Sequence, residues 1–227
     1  MLLLAGAHKD YDLSSLKMIT YGTEVMPSST LLAADKAFPG VTLKQTYGLT
    51  EMGILGTRSR DNHSTWIKIG GKGVETKIVD NILWLRTQTA MLGYLNVDSP
   101  FDADGWYNTG DRVETEGDFV RILGRAQEII NVGGEKVFPA EVESVILEIP
   151  GVLDVVVRGK ASPVTGQVVM AEVLLAEARP IREVRKEIFA YCSAHMARFK
   201  IPAVITLADG PLVSDRFKKK RATKASN

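Results

Sequence analysis

The sequence is poor in thiols, has no dominant charge and contains no long apolar run. Among 227 residues there is one cysteine, Cys192, which excludes a disulfide framework and any multi-cysteine zinc site. Lys and Arg total 28 against 27 Asp and Glu, a formal net charge of +1. Neither a strongly basic nucleic-acid binder nor an acidic solvating chain is implied. No stretch approaches the roughly 18 apolar residues of a membrane span. The apolar opening MLLLAGA is closed by His8, Lys9, Asp10 and Asp12. It lacks the basic start of a signal peptide, so it reads as a buried helix fragment in a cytoplasmic chain. There are no internal repeats. What is present is ordinary: 45% hydrophobic and 24% charged residues exclude a disordered chain. The length allows one or two domains.

Patterning divides the chain into stretches of different rhythm. Leu16 to Val25 opens as a strand, Pro27 to Ala37 reads as a helix stopped by Phe38-Pro39-Gly40, and Val41 to Thr46 is a second strand before a loop over Tyr47 to Gly53. Strand, helix, strand implies an α/β layer with parallel strands. Val74 to Val79 and Ile82 to Arg86 alternate around Asp80-Asn81, a hairpin signal. Asp102 to Gly105 is a tight turn, Trp106 to Asp111 is turn-rich, and Val113 to Leu123 gives another hairpin. From Gly124 a new pattern begins. A short strand at Glu128 to Val132 meets the sharp Gly133-Gly134 turn. Helices over Pro139 to Ile149 and Ile181 to Met196 alternate with strands at Val152 to Val157, Val168 to Leu175 and Ala203 to Leu207. This β-α-β-β-α-β order predicts a separate small α+β domain.

Four segments carry groups suited to chemistry. In QTYGLTE (45–51), Gly48 permits a turn, Tyr47 offers a flat face to a base, and Glu51 is a hard oxygen donor for Mg²⁺ carrying phosphates. In YNTGD (107–111), Asp111 has the two acceptors a ribose diol needs. In GRAQEIINVGGEKVFPAEVE (124–143), Arg125 suits phosphate or ribose, and Gly133-Gly134 lets a thin ligand approach. In FKKKR (217–221), a lysine is a compact cation for developing charge. Taken singly, each reads more simply as an ordinary surface loop, a hairpin turn, a hairpin feeding a helix, or a solvated basic tail, respectively.

Taken in order, these segments resemble the AMP-forming adenylating superfamily, which includes acyl- and aryl-CoA synthetases, peptide-synthetase adenylation domains and luciferases. DLSSLKMITYGTEVMP (12–27), MLGYLN (91–96) and MARFKIP (196–202) agree. The resemblance implies a partial large α/β domain with a β-hairpin subdomain over residues 1–124, then a small mobile C-terminal α+β domain over residues 125–227. It implies joining of a carboxylate to AMP from ATP, then passage of the acyl group to a thiol of coenzyme A or of a carrier protein's phosphopantetheine. Gly22, Thr23 and Glu24 would line the adenine pocket with Tyr47 against the ring. Thr50 would contact phosphate, and Glu51 would hold Mg²⁺. Asp111 would accept the ribose hydroxyls with help from Arg125. Gly133 and Gly134 would lie beside the pantetheine arm. Lys218 would bridge substrate carboxylate and α-phosphate, with Lys219 and Lys220 as further candidates, and Gln127 would be the hinge between the two half-reactions.

Three departures from the pattern stand out. The Ser/Thr/Gly-rich phosphate loop ending in lysine is absent, and no Walker-type loop replaces it. Gln127 occupies a hinge position that is usually Asp or Lys, and Phe217 stands where Gly usually precedes the lysine. The expectation is therefore the C-terminal part of a ligase, inactive alone and completed by an N-terminal portion in cis or in trans. Its first part should expose apolar surface. An amide-forming ligase and a non-catalytic binding module are the alternatives. The acid substrate is not legible.

Overall fold

A computed structural model describes residues 3, 6–213 and 219 of the chain. They form two compact units, Met1–Gln127 and Glu128–Asn227, three residues beyond the boundary placed at 124 from the sequence. The architecture is mixed α/β and α+β. Among the described residues no helix is long and apolar enough to cross a membrane.

The first unit begins with the short helix α1 (Ala7–Asp10), so most of the apolar opening lies outside the described residues. Strand β1 (Met18–Tyr21), helix α2 (Ser28–Ala37) and strand β2 (Thr42–Gln45) follow. β1 and β2 pair in parallel, Met18 with Thr42 through Tyr21 with Gln45. Pro27 caps α2 with the fixed φ suited to a helix start. Only Leu31 of α2 is buried, whereas Leu32 and Met18 are about half exposed. The expected loop at Tyr47–Gly53 is instead a tight antiparallel hairpin of β3 (Tyr47–Leu49) and β4 (Gly53–Leu55). Strands of three residues are too short to show alternation, which is why the sequence reads as a loop. Buried Met52 plugs the turn onto the core below.

That core belongs to a six-stranded antiparallel sheet. Its strands are β5 (Thr57–Ser59), β6 (Trp66–Ile69), β7 (Val74–Val79), β8 (Ile82–Thr87), β9 (Tyr107–Glu116) and β10 (Phe119–Arg125). They lie in the order β5-β6-β10-β9-β8-β7. Asp80 and Asn81 both take positive φ, 53° and 60°, the two-residue turn whose twist matches a hairpin. One face buries Ile67, Ile69, Leu83, Leu85 and Val113. The other carries Trp66, Trp84 and Trp106 under cations: Arg60 and Arg121 lie over Trp66, and Lys77 sits 4.3 Å from the centre of the Trp106 ring. Such contacts let aromatic side chains face water at modest cost. The YNTGD segment, read as turn-rich, is the start of β9.

The second unit adds β11 (Ile130–Val132), β12 (Glu135–Val137), α3 (Pro139–Ile146), β13 (Val152–Ser162), β14 (Gly166–Leu175), α4 (Ile181–His195) and β15 (Val204–Leu207). The sheet order is β12-β11-β14-β13, and β15 pairs with β14 in parallel. Strand β12, which the sequence reading missed, folds back on β11 across Gly133-Gly134. One core gathers Val142 and Ile146 of α3, Val184, Ile188 and Cys192 of α4, and the inward residues of β13 and β14. Burial pushes the Cys192 thiol up to about 11. At about pH 8 only ~0.1% is then thiolate, so a thiol reagent is expected to label the native chain at least about a hundredfold more slowly than the denatured chain. Equal rates would place Cys192 at the surface.

Candidate active site

The parallel pair β1-β2 fixes where the site begins. Both strands run the same way, so their carboxyl ends open onto one edge, the place where α/β sheets bind ligands. Gly22-Thr23-Glu24 leaves β1 there, and Thr46-Tyr47 leaves β2. A Cβ on Gly22 would lie 2.6 Å from the Thr46 carbonyl oxygen and hydroxyl, so only glycine allows the two chains to pass. Thr23 holds φ at 72°. For a β-branched residue this is strained, and strain of this kind collects at ligand sites. β2 is held in place from β5: Ser59 Oγ accepts the Gln45 N–H at 2.9 Å, and the Thr57 hydroxyl donates to the Gln45 carbonyl at 2.6 Å.

The β3-β4 hairpin carries Tyr47 at its base and Thr50 and Glu51 at its tip. The Tyr47 hydroxyl donates to Asp111 Oδ2 at 2.5 Å, and Arg125 Nε lies 2.9 Å from Asp111 Oδ1. Arg125 also donates to the Thr109 carbonyl, while the Thr109 hydroxyl accepts the Asp111 N–H and donates to the Leu83 carbonyl. Asp111 shares the buried face of β9 with Thr109 and Val113 and is 6% exposed. Burial pushes its carboxyl above its ordinary value, against the lowering influence of the Tyr47 bond and the Arg125 charge. Burial, the neighbouring Asp111 charge and the bond to it also push the Tyr47 hydroxyl up, so Tyr47 is a committed donor.

Glu51 sits at the same edge. Tyr94 donates to its Oε1 at 2.5 Å. Desolvation pushes the Glu51 carboxyl up, but hydrogen bonds from Tyr94, the backbone and Tyr107, with the Arg125 charge, outweigh it and hold the group below the usual value. Burial and the Glu51 charge push Tyr107 up to about 12. One unit thus gathers an ionised carboxylate, a second carboxylate held by an arginine, and three tyrosine hydroxyls. The sequence reading did not single out Tyr94 or Tyr107, although each stands inside a motif it noted. Nor did it foresee that both Asp111 oxygens already have protein partners. A carboxylate offers about four acceptor sites, so capacity for a diol remains.

The other candidates lie elsewhere. Gln127 is exposed in the short 3-10 turn Ala126–Glu128, where the two units divide. Gly133 and Gly134, with φ of 60° and 95°, form the exposed turn between β11 and β12. Lys218 and Lys220 lie outside the described residues. Lys219 is described, and its ammonium reaches Glu143 and the Val155 carbonyl. Among the described residues no group of three or more His, Cys, Asp or Glu side chains is placed to hold a metal.

Comparison with known proteins gives a consistent picture. Residues 1–95 match the family model for AMP-binding enzymes, and residues 141–219 match that for the AMP-binding enzyme C-terminal domain. The 3-[(3aS,4S,7aS)-7a-methyl-1,5-dioxo-octahydro-1H-inden-4-yl]propanoyl:CoA ligase of Mycobacterium tuberculosis is 33% identical over 89% of this chain and 42% of its own length. The anthranilate CoA ligase AuaEII, solved with anthranoyl-AMP, superposes on 92% of this chain and 44% of its own with TM-score 0.80 and 27% identity. The amide bond synthetase McbA of Marinactinospora thermotolerans covers 94% of this chain and 48% of its own with TM-score 0.77 and 26% identity. The chain spans less than half the length of each of these relatives. The two family models together take in most of the chain, which belongs to the AMP-binding, adenylate-forming enzyme family.

Proposed function

We propose that the chain forms part of an ATP-dependent, AMP-forming carboxylic acid ligase. In it an acid is joined to AMP with release of pyrophosphate, and the acyl group then passes to a thiol, that of coenzyme A or of a carrier protein. The observation that carries this reading is the gathering of Tyr47, Glu51, Asp111 and Arg125 beside the strand ends that bear Gly22, Thr23 and Glu24. The remainder of such a ligase would be supplied in cis or in trans, since the relatives are more than twice as long.

In this reading Gly22-Thr23-Glu24 lines the adenine pocket and the Tyr47 ring lies against the base. Asp111 accepts the ribose hydroxyls, and Arg125, which holds it, opposes the upward push of burial on its carboxyl. Thr50 contacts phosphate. A lone carboxylate such as Glu51 does not make a protein metal cage. It fits Mg²⁺, which is bound through one or two carboxylates together with phosphate oxygens and water. Bound there, the ion would neutralise phosphate charge. Tyr94 and Tyr107 hold the Glu51 carboxylate ionised and aimed. Attack of one anion on another is slow unless positive charge is already in place, and Lys218 is assigned that task beside the α-phosphate. Gly133-Gly134 is assigned to the thiol step, with Gln127 as hinge.

The test is a hybrid in which this chain replaces the matching 42% of the M. tuberculosis CoA ligase. Acid-dependent exchange of pyrophosphate into ATP, followed by coenzyme A thioester formation, is the expected result. A folded hybrid without exchange would refute the proposal. Because one structural neighbour is an amide bond synthetase, products are to be compared with coenzyme A and with amines as acceptors. Amide alone would select the amine reading.

A further inference from the structure

Strand β13 is the outer strand of its sheet. Its pairing with β14 leaves alternate backbone groups facing away from the sheet, where a further strand would bind them. At the centre of β13 this edge is buried: Val155, Val156 and Val157 are fully enclosed. Buried backbone groups need partners. The Val157 N–H donates to Glu143 Oε1 at 2.9 Å, and the Val155 carbonyl accepts from Lys219 Nζ at 2.7 Å. The same ammonium lies 3.1 Å from Glu143 Oε2 and 3.4 Å from Asp154 Oδ1. The Glu143 and Lys219 side chains are 2% and 15% exposed. Glu143 belongs to α3, and Lys219 is bridged to Val213. An ion pair drawn from a helix and from the end of the chain therefore stands in for the missing strand.

We infer that Lys219 is an anchoring residue, which docks the C-terminal segment on α3 and the edge of β13, and that it is not the lysine that meets phosphate or carboxylate. The docking rests on geometry alone. The exclusion of Lys219 from chemistry rests on the ligase reading. A reactive ammonium must be reachable by substrate, whereas this one is enclosed by two carboxylates and a carbonyl. A buried charge pulled from such partners leaves them unpaired, which is strongly unfavourable.

Two measurements on the 227-residue chain test the anchoring without any assay of ligase activity. In the first, lysines are labelled under native conditions with a small amine reagent, and modification at each site is followed by peptide mass spectrometry. Lys219 is expected to react about ten- to hundredfold more slowly than solvent-facing lysines such as Lys72, and the Glu143→Gln chain to lose most of that protection. The second follows hydrogen exchange of the Val157 amide. Lys219→Met should speed it by about tenfold or more, and Lys219→Arg, which keeps the charge, should restore most of the protection. Fast labelling of Lys219 in the native chain would overturn the inference even if the variants failed to fold. Val157 exchange unchanged by Lys219→Met would do the same. Failure of the hybrid ligase with Lys219 protected would refute the functional reading and leave the anchor standing.

Discussion

Lys218→Ala in the hybrid ligase is expected to lower the adenylation half-reaction by about 10²–10³-fold, the usual cost of removing one preorganised charge from a developing oxyanion. Transfer of the acyl group from preformed acyl-AMP to coenzyme A should stay within about twofold. The split follows from where the charge is needed. In the first step a carboxylate attacks an anionic phosphate. In the second a neutral thiol or its thiolate attacks a carbonyl already activated by AMP. The neighbouring lysine supplies the control: Lys219→Met should act through docking of the segment, affect stability, and respond to restoration of charge by Lys219→Arg. Equal loss in both half-reactions for Lys218→Ala would assign it a structural role and return Lys220 as the candidate.

Asp111→Ala is expected to act on both folding and binding. It removes the acceptor from the buried Tyr47 hydroxyl, at about 1–3 kcal/mol. It also removes the partner of Arg125, whose half-exposed side chain can be resolvated, so that loss is discounted to about 1 kcal/mol. Unit 1 should therefore lose about 2–4 kcal/mol in denaturant unfolding, and Tyr47→Phe a smaller share. Nucleotide affinity in the hybrid should fall by about ten- to hundredfold, the value of two hydrogen bonds to a charged group. Asp111→Asn separates charge from shape. Because burial raises the folded carboxyl, its protonation favours the fold. That contribution is fully present below the ordinary carboxylate value near 3.9 and is lost as pH rises through the raised value. The stability of wild type relative to Asp111→Asn should thus increase as the pH falls from 7 towards about 4. A constant or shrinking difference would mean that Arg125 and Tyr47 outweigh burial.

How far the sequence reveals this arrangement depends on the range of each signal. Alternation over Val74–Val79 and Ile82–Thr87, with two turn-forming residues between, predicts a hairpin because both signals are local. The helices over Pro139–Ile146 and Ile181–His195 are legible from their start signals and apolar spacing, although the first ends three residues before the expected limit. The β3-β4 hairpin and strand β12 are not legible, because three residues carry no periodicity. Asn108, Gly110 and Asp111 are turn formers by composition, yet they lie in β9, where Asn108 pairs with Trp84 of β8 and Asp111 with Arg125 of β10. Tertiary context overrides propensity there. In the site, residue types announced Tyr47, Glu51 and Asp111, but not Tyr94 and Tyr107, which orient Glu51. Tyr47 and Asp111 stand 64 positions apart, and Glu143 and Lys219 stand 76 apart. No spacing rule links residues at such separations, so these pairs emerge only once the sheets are assembled.

The cation-covered face of the six-stranded sheet has a spectroscopic consequence. The chain has three tryptophans, Trp66, Trp84 and Trp106, and all stand on that face of the first unit, two of them beside Lys77. Indole emission therefore belongs wholly to residues 1–127 and reports on the cations packed against these rings. Residues 128–227 are silent at wavelengths that excite only indole. One optical probe thus isolates the melting of the first unit from that of the second.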